Sequence, residues 1–201
     1  MTRTSKSQRG ISLIELTAVC SMILVISAAA LPNMMNVIGN ARLRGAASSL
    51  SGIMQSTRGL AIKQNHDMTV FFVPLDGGPY AYVKNAASTN TSLTSTDPRC
   101  LLNETCAVVQ LGAPVIQVSV PTGSVAPLDP AQLGYTPLTY PDLPSFNPRG
   151  LPCKYSGGAC VNSGFAYYFT DIRQNTGWAA VSISPAGRIS RWFWDGSKWA
   201  N

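Results

Sequence analysis

The side chains in this sequence that could carry out chemistry are few and lie far apart. They are a single histidine, His66, five cysteines, and a carboxylate, Glu15, set in an apolar run. His66 stands next to Asp67, a pair that acid–base catalysis could use, but the sequence clusters no nucleophile or second metal ligand with it. Paired acids, a phosphate-binding loop and metal-ligand clusters are missing from the sequence as well. We therefore expect no catalytic residue, no cofactor and no enzyme activity, and interpret His66 as an exposed turn residue.

Four of the five cysteines lie in the turn-rich downstream part of the chain: Cys100, Cys106, Cys153 and Cys160. An even number of cysteines in an exported chain favours disulfides, and four of them allow three connectivities. We expect the local pairs, Cys100 with Cys106 and Cys153 with Cys160. Zinc is the alternative, but its ligands are usually spaced by about two to four residues, whereas five and six residues separate these pairs. We therefore expect no metal site.

Glu15 is the only charged residue between Ile11 and Leu31. As a helix this run would be about 30 Å long, enough to span a bilayer, and the basic residues before it place the N-terminus in the cytoplasm. A cleaved secretory signal is the alternative, with Ala28 to Ala30 as the small residues at its cleavage site. A carboxylate inside a membrane costs ~3 kcal/mol on insertion scales and usually has a partner. Glu15 therefore argues for a retained, functional helix.

The segment Arg9–Leu16, with Gly10 before the apolar Ile11 and Glu15 as the fifth residue after that glycine, resembles the processing site of type IV prepilins. The resemblance implies that prepilin peptidase cuts after Gly10, that the new N-terminus at Ile11 is methylated, and that the apolar helix is retained. The ammonium group of one subunit could then neutralise Glu15 of its neighbour in a filament. Pro32 matches the family's helix-bending proline, whereas Ile11 departs from the commoner Phe.

Beyond Pro32 the sequence becomes amphipathic as far as Gln64. Apolar residues recur at three- and four-residue steps and predict a helix stripe that packs on a head domain. The stripe consists of Leu43, Ala46, Ala47, Leu50, Ile53, Met54, Leu60 and Ala61. On the opposite face Gly45, Gly52 and Gly59 indicate either close approach of another helix or a weakly helical stretch. The junction from Ser56 to Val73 resembles that of the FimT/GspH pilin family.

Seven runs rich in Val, Ile, Tyr and Phe predict antiparallel strands. They cover 68–73, 80–83, 107–111, 115–120, 165–169, 178–184 and 188–194. Residues 121–164 hold eight of the fourteen prolines and predict one long loop. The predicted fold class is α+β, with a long N-terminal helix, transmembrane and then amphipathic, packed on an antiparallel β-sheet head in a pilin-like arrangement. The predicted parts are a leader (1–10), a transmembrane or filament-core helix (11–31), its amphipathic continuation (32–64) and a periplasmic head (65–201).

The turn signal Ser184 to Gly187 predicts a C-terminal β-hairpin. The sequence SISPAGRISRW resembles the corresponding hairpin of the FimT/GspH family, which in members linked to DNA uptake carries Gly-Arg-any-Arg. Here Arg188 fits, but the second arginine is one place late at Arg191, so the two face opposite ways in a strand unless a bulge intervenes. With Lys198 these arginines are the possible DNA contacts. The nearby tryptophans, Trp192, Trp194 and Trp199, either stack bases or close the core.

From these features we predict a minor pilin or pseudopilin that assembles into, starts or caps a type IV pilus or a type II secretion pseudopilus, the second of which would serve protein transport. The low charged fraction, 12%, suits a secreted surface. The predicted partners are prepilin peptidase, other pilins bound through the N-terminal helix, and the inner membrane, with the head in the periplasm. The alternative is a minor pilin for DNA uptake, with weak DNA binding.

Overall fold

Helix α1 is the longest element and covers Leu13–Gln64. The computed structural model describes residues 12–75, 78–87, 108–111, 116–118, 120–123, 125–171 and 177–201. The chain divides into two compact units, 1–38 and 39–201, with the boundary inside α1. The described side chains of the first unit are all exposed.

In the second unit, α1 buries the predicted apolar stripe. Leu43, Leu50 and Met54 are almost completely buried, whereas Gly45 and Gly52 on the other face are exposed. The three- and four-residue spacing therefore predicted the buried face of this part of α1.

The described residues form eleven strands in two antiparallel sheets. The six-stranded sheet A has the order β3-β2-β1-β5-β6-β7, and the five-stranded sheet B has the order β11-β10-β9-β8-β4. The strands are β1 Met68–Leu75, β2 Gly78–Asn85, β3 Val108–Gln110, β4 Ile116–Val118, β5 Ser145–Phe146, β6 Pro152–Ser156, β7 Ala159–Asn162, β8 Phe165–Asp171, β9 Trp178–Ile183, β10 Ile189–Trp194 and β11 Trp199–Ala200. A short helix, α2, covers Pro130–Leu133.

The first core joins α1 to one face of each sheet. Side chains alternate between the two faces of a strand, so Tyr167 of β8 and Val181 of β9 meet Leu50 of the helix stripe, while Val70 and Phe146 join them from sheet A. The predicted packing of α1 on antiparallel strands is therefore present, but it involves two sheets.

A second core covers the other face of sheet B. Tyr168 of β8 packs there with Val125 and Leu128 and with two tryptophans, Trp192 and Trp199. The Tyr168 hydroxyl accepts a hydrogen bond from the Leu128 backbone N–H over 3.0 Å, so the segment before α2 is fixed to the sheet. Sheet B is thus buried on both faces.

Residues 121–164 are predicted as one loop, but the structure contains α2 and strands β5 to β7 in this interval. Strands β6 and β7 form a hairpin closed by Gly157 and Gly158, with φ of 58° and 83°. Two consecutive positive φ values are typical of a two-residue turn that suits the twist of a hairpin. Strands of two to five residues are too short to produce a clear alternation in sequence.

The predicted fold class is wrong. The described part of the 39–201 unit is mostly β, with two antiparallel sheets instead of the single sheet of the predicted pilin-like head. Among the described residues, no helix combines the length and apolar character that crossing a membrane requires. The prediction assigned all the strands to one sheet because strand patterns in sequence do not reveal which strands pair.

Candidate functional site

The part of α1 in the first unit carries a continuous exposed apolar surface. Every side chain from Ser12 to Ala28 is exposed, and among the large apolar ones the exposed fraction runs from 51% at Val19 to 80% at Leu13. The hydroxyls of Thr17 and Ser21 donate to backbone carbonyls three residues earlier, over 2.9 and 2.8 Å. Because these hydroxyls need no water, the segment is suited to apolar surroundings.

Glu15 lies in the first turn of this helix. Its backbone N–H donates to the Ser12 carbonyl over 3.0 Å, and a carboxylate at a helix N-terminus is favoured by the helix dipole. Within the described residues the Glu15 carboxylate has no ion-pair partner. Glu15 is therefore a negative charge surrounded by apolar side chains and available to a cation from another molecule.

Of the other residues predicted to act in processing and assembly, the structure describes only the backbone of Pro32. Gly10 and Ile11, the predicted processing site, lie outside the described residues. Pro32 is part of α1, and nothing is described of its side chain. Cleavage and methylation therefore stay predictions.

The predicted C-terminal hairpin is present, with its turn at Ser184 to Gly187. The Gly187 N–H donates to the Ser184 carbonyl over 2.7 Å, and Gly187 has a φ of 85°. Pairing of β10 with β9 is regular from Ile189 to Phe193. A bulge that would bring the two arginines together is therefore absent from this ladder.

Arg188 and Arg191 consequently lie on opposite faces of sheet B. Arg191 shares its face with Ile189 and Phe193, which pack on the first core, whereas Arg188 lies on the face of Trp192. Lys198 is exposed in the turn after β10. The three predicted DNA contacts do not form one patch.

The tryptophans next to these cations mainly close the second core. Trp192 and Trp199 are buried, and their indole N–H groups donate to Ser182 Oγ and to the Ala126 carbonyl, each over 2.8 Å. Trp194 is half-buried and packs against Trp199 with ring centroids 5.5 Å apart. Buried rings are not available for base stacking, so the structure favours the core interpretation of Trp192 and Trp199.

Three of the five cysteines lie in the part of the chain that the structure describes. Cys153 and Cys160 are paired across the β6–β7 hairpin, with Cα atoms 5.3 Å apart. Cys100 and Cys106 lie outside the described residues, and Cys20 is free and exposed on α1. His66 is exposed beside Asn65 at the end of α1, and the described residues contain no group of three metal-binding side chains.

The sequence did not indicate a groove that lies beside Arg188. Gln132 and Tyr135, from the segment predicted as loop, line it together with Arg188 of the hairpin. Burial raises the pKa of the Tyr135 hydroxyl above its usual value, an effect that a hydrogen bond with Ser182 partly opposes. Tyr135 therefore stays neutral at physiological pH and keeps its proton for hydrogen bonding.

Comparisons with protein-family models, with curated proteins and with solved structures found no match to this chain. The resemblance to type IV prepilins therefore stays an expectation from the sequence.

Proposed function

We propose that this chain is a filament subunit, a minor pilin or pseudopilin that assembles into, starts or caps a type IV pilus or a type II secretion pseudopilus. The observation that carries the proposal is the exposed apolar part of α1 with Glu15 inside it, a carboxylate that forms no ion pair with any described residue. The prepilin-like sequence around Gly10 supports it.

Burying an exposed apolar surface of this extent against a partner is energetically favourable. Large apolar side chains contribute about 1.5–3 kcal/mol each when they are buried, and nine of them between Leu13 and Ile26 are exposed. Contiguous apolar patches of this kind usually mark interaction sites. In the proposed filament, the same helix of neighbouring subunits provides the cover.

The same packing provides a partner for Glu15. Cleavage after Gly10 by prepilin peptidase at the inner membrane would leave an ammonium group on Ile11, at the start of the apolar segment. Out of water, an ion pair between this amine and Glu15 of a neighbour fixes the axial position of one helix against the next, because leaving either charge unpaired costs about 3–5 kcal/mol.

A substitution at Glu15 tests the proposal. Glu15→Ala and Glu15→Gln should leave processing intact, so that mass spectrometry of detergent-extracted protein shows loss of residues 1–10 only. Incorporation into sheared filaments, measured by immunoblotting, should fall at least about tenfold for both variants. Glu15→Asp, which keeps the charge, is the matched control and should incorporate better than Glu15→Gln.

Two results would contradict the proposal. One is normal incorporation of Glu15→Ala, which would show that no charge pairing acts in assembly. The other is a mature N-terminus after Ala30, which would identify a cleaved signal peptide. The DNA-uptake alternative stays a prediction, and no described arrangement of Arg188, Arg191 and Lys198 favours it.

A further inference from the structure

A groove of about 280 Å³ lies on the Trp192 face of the β9–β10 hairpin. Hydroxyl groups dominate the side chains that line it, from Tyr135, Ser182, Ser184 and Ser190. Gln132, Asn201 and the Arg188 guanidinium are the other polar groups among the described residues that line it. All of these residues belong to the 39–201 unit.

The hydroxyls are held in place by hydrogen bonds within the groove. Ser182 Oγ accepts from the Trp192 indole N–H over 2.8 Å and is hydrogen-bonded to Tyr135. Ser184 Oγ accepts from the Arg188 backbone N–H over 3.1 Å. Ser182 is buried and already has these two partners, so it positions Tyr135 and is not itself open to a ligand. The hydroxyls of Tyr135 and Ser184 keep further donor and acceptor capacity, so a ligand can bind them together with the Ser190 hydroxyl.

Of the described residues that line the groove, only Arg188 has a charged side chain. It is exposed and, among the described residues, has no carboxylate within salt-bridge distance. A guanidinium presents parallel N–H donors that match a carboxylate in a two-pronged contact. The groove therefore combines one carboxylate-binding group with several hydroxyl-binding groups.

We propose that this groove binds a uronic acid residue, the carboxylated ring of an acidic sugar. The ring carboxylate pairs with Arg188, and the ring hydroxyls, which both donate and accept, match the serine and tyrosine hydroxyls. The volume lies just below the roughly 300–1,000 Å³ of typical ligand pockets, which suits one sugar residue rather than an oligosaccharide. An acidic side chain of a peptide would use Arg188 and would leave the remaining hydrogen-bonding capacity of the hydroxyls unused.

Three small probes distinguish an acidic sugar from a neutral sugar and from a carboxylate without a sugar ring. They are D-galacturonate, D-galactose, which has the same ring without the carboxylate, and glutarate, which has carboxylates without ring hydroxyls. Saturation-transfer NMR on the full chain in detergent micelles, with any tag at the N-terminal end because Asn201 lines the groove, should give a Kd of the order of 1 mM for galacturonate. Galactose and glutarate should each bind at least about fivefold more weakly, because each lacks one of the two kinds of contact.

Arg188 has a matched control in Arg191 on the other face of the same hairpin. Arg188→Gln should weaken galacturonate binding at least about tenfold because it removes the charge-assisted contact, whereas Arg191→Gln should stay within about twofold. Tyr135→Phe, which keeps the ring, should weaken binding of galacturonate more than that of glutarate.

Three outcomes would overturn the proposal. Equal affinities for galactose and galacturonate would show that the carboxylate does not contribute to binding. Equal losses of affinity in Arg188→Gln and Arg191→Gln would show that the positive charge attracts the sugar non-specifically and that Arg188 forms no specific contact. Glutarate binding as tightly as galacturonate identifies a site for acidic side chains rather than for a sugar. Each variant is compared by thermal unfolding, so that loss of fold is distinguished from loss of binding.

Discussion

The ring of Tyr135 lies directly over Gly164, so that a Cβ at position 164 would stand closer to the ring carbons Cδ2 and Cε2 than real Cβ atoms approach their neighbours. The same Cβ would be 3.1 Å from the carbonyl oxygen of Ile183 in β9. Glycine at 164 therefore allows the segment after α2 to lie against sheet B, and it sets the position of Tyr135 in the groove.

Gly164→Ala should destabilise the protein by about 1–3 kcal/mol, the usual cost of overpacking. Chemical denaturation in detergent, followed by tryptophan fluorescence, would measure this change. Gly52→Ala is the control, because Gly52 lies in α1 with no atom within 4 Å of an added Cβ, and alanine there should stabilise the helix by up to about 1 kcal/mol. A neutral Gly164→Ala would mean that Tyr135 has another position of equal energy.

DNA binding, if present, should be weak and depend on one face of the hairpin. Three cations at most, Arg188, Arg191 and Lys198, give a log–log salt slope no steeper than about −3. Since the two arginines lie on opposite faces, Arg188→Ala should remove most of the binding and Arg191→Ala much less. Titration of a fluorescent duplex at several salt concentrations measures both effects. Tight, salt-resistant binding or equal large losses would favour the DNA-uptake function.

Peptide mapping can determine which cysteines are paired. Non-reducing peptide mapping should link Cys153 to Cys160 and Cys100 to Cys106. In the chain-entropy model, a bridge that closes a loop as short as that of the β6–β7 hairpin contributes about 2.5 kcal/mol, so reductant should lower the stability of the protein. A variant with both Cys153→Ala and Cys160→Ala should respond less to reductant. Links between the two pairs would contradict the predicted connectivity.

Asp195 should titrate below its usual range. The Lys198 backbone N–H lies 2.8 Å from its carboxylate, and with the N–H and hydroxyl of Ser197 it lowers the pKa from the ordinary 3.8. Because the folded-state pKa is depressed, the stabilising effect on the turn is present above the unfolded-state pKa and is lost as pH falls through the folded one. An NMR titration should give a midpoint below 3.8, and Ser197→Ala should raise it. A wild-type midpoint at or above 3.8 would contradict the turn geometry.

The sequence predicted those helices and strands whose own residues show a periodic burial pattern. The stripe around Leu50 and the strands β8, β9 and β10 were found because periodic burial leaves a periodic sequence. Strand β5 was missed because it has only two residues and is held by a distant partner, with Thr69 of β1 opposite Ser145. Pairing of this kind leaves no local signal, and for the same reason the division into two sheets was not predicted.

One of the candidate sites could likewise be predicted from the sequence, and the other could not. Glu15 could be identified from the sequence because it is the single charged residue in an apolar run. The groove was not, because Tyr135 and Arg188 come from distant parts of the chain and meet only after sheet B has been covered. The regular register of β10, which separates Arg188 from Arg191, followed from the alternation of strand side chains.

The second core also determines when the 39–201 unit can be completed during biosynthesis. Leu128 and Tyr168 are synthesised before Trp192 and Trp199, which pack with them. Until then this face of sheet B lacks the two tryptophans that complete its core. A nascent chain halted before residue 192 would therefore expose apolar surface to chaperones and proteases, and addition of Trp192 and Trp199 would reduce that exposure.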